Sequence, residues 1–252
     1  MLETVVVNVS LSGRPVLSGI TLTANAGQIT AIVGPNGSGK TTLLRALTGD
    51  IPATGQIHLN GVDVACAKPW HLAQMRAVLA QETNVAFAFS VAEVVALGSP
   101  DPDLVTQALE RVGLPTFGSR DYGSLSGGER QRVQLARALV QVWQPLGPTG
   151  PRWLFLDEPV SSLDLGHQLM VMRLARSFAD AGGGVVAVMH DLNLTAMFAD
   201  NVALLTAGRL VEQGTPDAVL TDERLGRAYG CAVRVNLAPL AGPWLLPQAV
   251  AD

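Results

Sequence analysis

The chain contains no long hydrophobic run and no N-terminal segment typical of secretion. Of its 252 residues, 48% are apolar and 15% are charged, but no uninterrupted apolar stretch approaches the roughly 18–20 residues that span a bilayer. No basic segment followed by an apolar core stands at the start, so no secretion signal is predicted. These absences indicate a soluble, cytosolic, globular protein that is long enough to bury a sizeable core.

Basic clusters and paired cysteines are missing as well. The net charge is −4, and without a basic run the chain is not expected to be a dedicated nucleic-acid binder. Cys66 and Cys231 are far apart in the sequence and neither belongs to a Cys-x-x-Cys pair. Disulfide, redox and metal-binding roles for these two cysteines are therefore unsupported. The mean hydropathy of +0.30 suggests that a partner covers some apolar surface.

One glycine-rich stretch lies between a predicted buried strand, residues 29–33, and a predicted helix over residues 43–47. Glycines let backbone N–H groups turn inward around a phosphate, and the helix dipole points to the same place. Lys40 adds a full charge at the β- and γ-phosphates, and Thr41 offers its hydroxyl to a magnesium ion. The pattern predicts a nucleotide-binding phosphate loop, with a purely structural glycine turn as the alternative. Its residues are Gly34, Pro35, Asn36, Gly37, Ser38, Gly39, Lys40, Thr41 and Thr42.

A second motif consists of two carboxylates at the end of an apolar strand. Residues 153–157 predict a buried strand that ends in Asp157, and Glu158 follows directly. A carboxylate at the carboxyl end of a parallel strand faces the crevice where ligands bind. Asp157 is placed to hold magnesium through water, and Glu158 is placed to orient and polarise an attacking water. The alternative is a structural acid pair that caps a helix.

The stretch Leu125-Ser126-Gly127-Gly128-Glu129 predicts a second helix start that attracts anions. The serine and the glutamate have the spacing of a capping box, and a helix over residues 130–140 follows. The two glycines remove side chains from the first turn, so that an anion can approach the exposed N–H groups closely. The chain therefore carries two helix starts that favour anions.

The order of the predicted elements indicates an α/β fold, namely a P-loop NTPase core with a mostly parallel sheet. Residues 1–81 and 141–235 form that core together with an N-terminal antiparallel β part, and residues 82–140 form an inserted all-helical subdomain. The tail, residues 236–252, is rich in proline and alanine, and weak order is expected there. Residues 141–152 predict a Pro/Gly loop to which the sequence assigns no function.

These motifs, in this order, resemble those of the ATP-binding-cassette ATPases, over a stretch from about residue 3 to residue 235. In that family two cassettes pair head to tail, and each ATP lies between the phosphate loop of one and the Ser-Gly-Gly helix of the other. The resemblance implies ATP and Mg²⁺ as cofactors and a second copy of the chain as partner. It also implies that Ser126, Gly127 and Gly128 contact the γ-phosphate of the ATP that the partner binds.

Three further positions take their roles from this resemblance. Gln81 would contact magnesium and move with the helical subdomain. Residues 161–164 would cross the dimer interface. His190 would touch the γ-phosphate and the attacking water. The residues alone place His190 just after a predicted buried strand, level with Asp157 and Glu158, so that a plain structural histidine remains the alternative.

The position expected to contact adenine departs from the family's pattern. The family usually has an aromatic residue there, whereas this chain has Leu11. Leucine can cover the face of the base but offers no π stacking. Arg14 could partly compensate by stacking on the base. We therefore predict weak discrimination between bases.

The chain has one cassette and no membrane segment, so two transmembrane permease subunits are expected as partners, with a substrate-binding protein acting indirectly. The apolar patch at residues 85–89 lies where the family's helical subdomain contacts a permease, and its bulky aromatic side chains are expected to be exposed for that contact. The segments 158–164 and 209–216 resemble importers for iron chelates, cobalamin and haem, and among these the haem-import ATPases most. This implies a peripheral location on the cytoplasmic face of the cell membrane. A cobalamin or ferric-siderophore importer is the alternative, and a non-transport cassette ATPase is a remote one.

Overall fold

The computed structural model describes residues 1–81, 89–243 and 245–249. Its strands are β1 (Leu2–Leu11), β2 (Arg14–Ile20), β3 (Thr23–Ala24), β4 (Ile29–Val33), β5 (Thr54–Leu59), β6 (Val62–Asp63), β7 (Arg76–Leu79), β8 (Leu146–Gly147), β9 (Gly150–Pro151), β10 (Trp153–Asp157), β11 (Gly184–Val188), β12 (Asn201–Thr206) and β13 (Arg209–Gly214). Its α-helices are α1 (Lys40–Leu47), α2 (Pro69–Met75), α3 (Val91–Ala96), α4 (Pro102–Arg111), α5 (Gly127–Gln141), α6 (Leu165–Asp180), α7 (Leu192–Phe198), α8 (Pro216–Val219) and α9 (Asp222–Tyr229).

Two larger sheets organise these elements. The central sheet has the strand order β13-β12-β4-β11-β10-β7, in which only the β12–β13 pairing is antiparallel. The second sheet, β2-β1-β5-β6 with β3 also paired to β1, is antiparallel throughout. The predicted α/β architecture, with a mostly parallel core and an N-terminal antiparallel part, is thus confirmed. In the described part of the chain, no helix has both the length and the apolar character needed to cross a bilayer.

Three adjacent strands of the central sheet, β4, β11 and β10, are buried over their whole length. Their nearly continuous apolar sequences are typical of parallel strands that are covered on both faces. Asp157 pairs with Val188, and Val188 pairs with Ile32, so the three strands end level with one another. This register brings Gly34, Asp157 and His190 to one edge of the sheet, beyond the carboxyl ends of the strands. Ligands bind at this place in such sheets.

The two faces of the central sheet pack against different elements. Leu154 and Leu156 belong to one hydrophobic cluster, whereas Phe155 between them belongs to another, as the alternation of side chains along a strand requires. The first cluster includes residues of α3, α4, α5 and α6, and the second includes α1 and the antiparallel sheet. The central sheet is therefore the middle layer, and the phosphate loop opens at its carboxyl edge.

Three helices after residue 89 begin at residues whose side chains cap them. Ser90, Asp101 and Ser126 each accept a hydrogen bond from a backbone N–H in the first turn of the helix that they cap. The helix α5 packs against both α3 and α4. A Cβ atom at Gly98 would lie 2.1 Å from the carbonyl oxygen of Arg137, so only glycine allows α3 to end this close to α5.

The structure corrects two local predictions. Helix α1 begins at Lys40 rather than near Leu43, because Gly39 adopts a φ of 99° and its carbonyl already accepts the hydrogen bond of Leu43 N–H. The segment 141–152 contains a short hairpin, β8–β9, where the sequence predicts only a loop. The side-chain amide of Asn60 donates to Pro151 O at 2.7 Å and ties this hairpin to the antiparallel sheet, a contact that local sequence patterns do not reveal.

The apolar patch differs from expectation, and the tail contains one short turn. Within the patch 85–89, residues 85–88 lie outside the described residues. Phe89 is half-buried and packs against the hydrophobic core, so the prediction of an exposed aromatic is wrong at this position. In the tail, a short 3-10 turn at Pro247–Ala249 packs against α7, where Gln248 Nε2 donates to Asn193 O at 3.1 Å.

Candidate active site

The phosphate loop joins β4 to α1 and depends on glycine at close contacts. Gly34 has a φ of 148°, and a Cβ atom there would lie 2.0 Å from Leu205 O, so any side chain would collide with the neighbouring strand. Gly37 and Gly39 also have positive φ, at 77° and 99°. The loop closes on itself, since Ser38 N–H donates to Pro35 O at 3.2 Å. The result is a tight backbone turn at a helix N-terminus, which suits a phosphate.

Lys40 is folded into this turn. Its Nζ donates to Gly34 O at 2.9 Å and to Pro35 O at 3.1 Å, and the residue is only 6% exposed. Burial lowers the pKa of Lys40, while the negative charges of Glu158 and Asp157 oppose that shift. The loop thus holds a buried cation where the sequence predicts the β- and γ-phosphates.

The three predicted magnesium residues line one cavity of about 370 Å³, which contains Thr41, Gln81 and Asp157. The Thr41 hydroxyl donates to Asp157 Oδ1 at 3.1 Å. Asp157 is 4% exposed, and burial raises its pKa, partly offset by the Thr41 hydrogen bond. A buried carboxylate beside a hydroxyl and an amide is a hard oxygen donor set of the kind that Mg²⁺ prefers. The residues present therefore fit the ion.

The predicted catalytic residues meet at Glu158, directly after β10. Its Oε1 pairs with His190 Nε2 at 2.6 Å, and its Oε2 accepts a hydrogen bond from Gln81 Nε2 at 3.0 Å. Glu158 has a φ of 50°, a left-handed conformation that is uncommon outside glycine and costs about 1–3 kcal/mol. Such strain is typical of positions where a side chain must be aimed. The carboxylate is thus fixed between two polar side chains at the edge of the sheet.

The Ser-Gly-Gly segment forms the start of α5 as predicted. Ser126 Oγ accepts from Glu129 N–H at 3.3 Å, and Glu129 Oε2 accepts from Ser126 N–H at 2.8 Å, which completes a capping box. Ser126 and Gly127 are exposed, and a Cβ at Gly127 would meet nothing within 4 Å. Among the hydrogen bonds of the described residues, none joins residues 126–128 to the phosphate loop, residues 34–42. One copy of the chain therefore leaves this helix start open.

Residues 161–164 lie beside that helix start. A Cβ at Gly128 would approach Ser162 O to 3.0 Å. Asp164 caps α6 by accepting from His167 N–H at 3.0 Å, and its carboxylate also pairs with the His167 ring at 2.8 Å. These hydrogen bonds from His167 lower the pKa of Asp164. His167 thus has a structural role at the surface, at the start of α6.

The residues predicted to contact the base lie at the β1–β2 turn. Leu11 and Arg14 are direct partners across the two strands, and both are exposed. No hydrogen bond or ring contact within the described residues places Arg14 near the phosphate loop. The structure thus shows an exposed aliphatic side chain and an exposed cation side by side, without an aromatic ring.

Two residues near the site carry no signal in the sequence. Gln131, on α5, donates from Nε2 to Glu158 O at 2.9 Å. Tyr229, at the end of α9, has its pKa raised by burial, and a hydrogen bond to the backbone of Gly34 opposes that shift. Both depend on which elements pack together, so a local pattern could not have indicated them.

This fold and this site define a nucleotide-binding cassette, and the comparison with known families agrees. The family model described as "ABC transporter" matches residues 17–161, which is more than half of the chain. The chain belongs to the ABC transporter family and is an ATP-binding subunit of it. The resemblance to ATP-binding-cassette ATPases noted in the sequence is thereby confirmed.

Individual relatives are more specific. The hemin import ATP-binding protein HmuV of Jannaschia sp. (strain CCS1) is 57% identical over 249 residues, covering 96% of this chain and 92% of that protein. HmuV of Roseobacter denitrificans is 54% identical over 250 residues, covering 96% of each chain. Among solved structures, cbiO1 from Clostridium perfringens, part of the ABC transporter complex cbiONQ, superposes with a TM-score of 0.73 at 26% identity, covering 90% of this chain and 92% of that one.

Proposed function

We propose that this chain is the ATP-hydrolysing subunit of a haem importer and that it works as a dimer of two copies with two ATP molecules between them. The observation that carries the proposal is the arrangement around Glu158. Its carboxylate lies between His190 and Gln81. At the same edge of the sheet, the phosphate loop begins and β10 ends in Asp157. A fixed carboxylate next to a phosphate site is what activation of water for phosphoryl transfer requires.

Each side chain has a definable task in that reaction. The loop N–H groups and Lys40 bind the phosphates. Thr41, Asp157 and Gln81 would hold Mg²⁺, which would neutralise charge on the phosphates. Glu158 accepts a proton from the attacking water, and His190 fixes the carboxylate and contacts the γ-phosphate. Because both Glu158 oxygens already have partners at 2.6 and 3.0 Å, the direction of the base is set before the water arrives.

The dimer accounts for the open start of α5. That helix has 15 residues, and its N-terminal dipole and unpaired N–H groups favour an anion. Since Ser126 and Gly127 are exposed and make no hydrogen bond to the loop of their own chain, the anion that they would bind is the γ-phosphate on a second copy. Residues 161–164, packed beside this helix start, would then lie at the same interface.

A permease would be driven through the helical subdomain. We propose that residues 82–140 move against the core formed by residues 1–81 and 141–235, and that a cytoplasmic helix of each permease subunit docks between them. Trp70 on α2 and Leu97 after α3 are 61% and 65% exposed, so each side of the division presents a large apolar side chain. Such docking would hold the chain on the cytoplasmic face of the membrane.

The proposed cargo follows from the relatives. Two proteins named as hemin import ATP-binding proteins share 57% and 54% of their residues with this chain over 96% of its length. The ATPase need not touch the cargo, which is delivered by a substrate-binding protein and crosses the permease. Cobalamin and ferric siderophores are the other cargoes that the sequence resemblance leaves open.

A dimerisation experiment tests the nucleotide sandwich. Glu158→Gln keeps the shape of the side chain but removes the base, so this variant should bind ATP and Mg²⁺ and become a stable dimer with no measurable hydrolysis. Light scattering after gel filtration measures the mass. The Lys40→Ala, Glu158→Gln double variant is the control. It should stay monomeric, because the loop has lost the cation that binds the phosphates. A monomeric Glu158→Gln protein with bound ATP would refute the sandwich.

A second experiment tests the cargo. The chain is reconstituted with its permease in liposomes, and ATP hydrolysis is measured with candidate substrate-binding proteins loaded with haem, cobalamin or a ferric siderophore. Haem should give the largest stimulation. Stimulation by cobalamin or a siderophore alone would replace haem as the cargo, and a chain that co-purifies with ribosomes or DNA instead of permease would contradict transport altogether.

A further inference from the structure

The peptide group of Glu158 is held from two directions. Its N–H donates to Val188 O at 3.2 Å, on the neighbouring strand. Its carbonyl oxygen accepts from Ser161 N–H at 3.3 Å and from Ser161 Oγ at 3.2 Å. The shortest hydrogen bond to this carbonyl, at 2.9 Å, comes from Gln131 Nε2 on α5. A left-handed φ of 50° persists only when its surroundings enforce it, and Gln131 is one of the groups that do so.

Only one end of the side-chain amide of Gln131 has a hydrogen-bond partner. Its Nε2 bonds Glu158 O, but its Oε1 is buried and has no hydrogen-bond partner. Leaving a buried acceptor unpaired destabilises a fold, and an apolar side chain of the same length would avoid that cost. Stability alone therefore does not explain a glutamine here. The contact that remains to explain it is the one to the general base.

Gln131 also lies on the helix that begins with the Ser-Gly-Gly segment. It follows Ser126 by five residues, so the continuous hydrogen bonds of α5 connect the two positions rigidly. The first turn of this helix packs on the chain just after Glu158, where a Cβ at Gly128 would lie 3.0 Å from Ser162 O. A small movement of the helix start would thus be passed to the Glu158 peptide through Gln131.

We propose that Gln131 is a positioning residue that couples the two ATP sites of the dimer. When the start of α5 docks on the γ-phosphate of the partner's ATP, Gln131 fixes the carbonyl of Glu158 and thereby aims its carboxylate at the water in this chain's own site. Hydrolysis at one site then depends on nucleotide at the other. The inference rests on the proposed function, because it assumes that Glu158 is the base and that α5 meets the partner's ATP.

The test uses Gln131→Met, which keeps the length of the side chain and removes both the donor and the unpaired oxygen. The value of kcat should fall about 3- to 10-fold, the effect of one hydrogen bond of ordinary strength. The KM for ATP should stay within about twofold, because the phosphate contacts are unchanged. The Hill coefficient for ATP hydrolysis should fall from above 1 in the wild type towards 1. The melting temperature should not fall.

A matched control lies on the same helix. Gln141 Nε2 also donates to backbone carbonyls, Ala73 O and Arg76 O, both at 3.0 Å, but far along α5 from Glu158. Gln141→Met should lower the melting temperature and leave kcat and the Hill coefficient at wild-type values. Gln131→Leu, which also loses the donor and buries no charge, is the second variant if Gln131→Met does not fold, and it should show the same loss of kcat and of cooperativity.

The outcomes separate this inference from the proposed function. An ATP-induced dimer of the Gln131→Met, Glu158→Gln double variant, together with the lower kcat and Hill coefficient of Gln131→Met, would support the coupling. Wild-type kcat and cooperativity in Gln131→Met, or a wild-type Hill coefficient of 1, would overturn it and leave the proposed function intact. Hydrolysis that survives in Glu158→Gln would instead overturn the proposed function itself.

Discussion

Replacing Ser126 with alanine separates a structural role of this serine from a functional one, because the chain contains a second capping box with the same geometry. Ser126 and Ser90 each accept from the N–H of a glutamate three residues later at 3.3 Å, and each hydroxyl donates to that glutamate's Oε2 at 2.7 Å. Both glutamates have a pKa lowered by their serine. As caps, the two serines are therefore equivalent.

The expected magnitudes follow from this equivalence. Loss of an N-cap serine costs about 1 kcal/mol of stability, which for a chain of this size lowers the melting temperature by about 2–4 °C. Ser90→Ala and Ser126→Ala should share this loss. If the Ser126 hydroxyl turns from Glu129 to the partner's γ-phosphate in the dimer, its removal also costs a hydrogen bond to a charged group, about 1.5–3 kcal/mol, or about 10- to 150-fold in ATPase rate.

The assays are thermal unfolding and steady-state ATP hydrolysis, both measured on the two single variants. Ser126→Ala should lose activity by at least about tenfold, while Ser90→Ala stays near the wild-type rate at a temperature well below both transitions. Equal losses of activity in the two variants would refute the reasoning, since they would show that the serine at the start of α5 acts only as a cap. A normal rate in Ser126→Ala would refute it as well.

Two further predictions concern the metal site and the position expected to contact adenine. Burial raises the pKa of Asp157 above its ordinary value of 3.8, so the folded state binds the carboxyl proton more tightly than the unfolded chain does. The stability contributed by Asp157 therefore falls as the pH rises from 3.8 through the raised pKa. In urea unfolding without nucleotide or Mg²⁺, Asp157→Asn should therefore gain stability relative to the wild type across that pH window; a constant difference would contradict the shift. At the position expected to contact adenine, Leu11→Tyr should strengthen ATP binding, because stacking on a nucleobase is worth about 1–3 kcal/mol. A strong ATP-over-GTP preference in the wild type would contradict the weak discrimination predicted from Leu11.

Much of the site could be predicted because its parts are short and local. The phosphate loop needs glycines at fixed positions and a lysine at a helix start, and these requirements are visible within nine residues, 34–42. The strand that ends in Asp157 is recognisable from its continuous apolar run, and the capping box of α5 from the spacing of Ser126 and Glu129. In each case the backbone conformation or hydrogen bond that creates the feature joins residues close in the sequence.

Other features depend on contacts between distant residues, and the sequence predicted them poorly or not at all. The hairpin β8–β9 is tied to Asn60, about 90 residues earlier in the chain. Phe89 ends an apolar run that predicts an exposed patch, yet it is half-buried and packs against the core. Neither outcome follows from local propensity, because burial and register are set by which elements become neighbours.

The sequence by itself determined that the chain binds a nucleotide phosphate, which residues form the loop, and which carboxylates follow the buried strand, since these depend on local backbone geometry. Only the tertiary structure decided how the parts meet. The level register of β4, β11 and β10 brings His190 to 2.6 Å from Glu158, and the packing of α5 places Gln131 on the carbonyl of Glu158. Those contacts join residues about 30 positions apart, and packing of the sheet against its helices creates them.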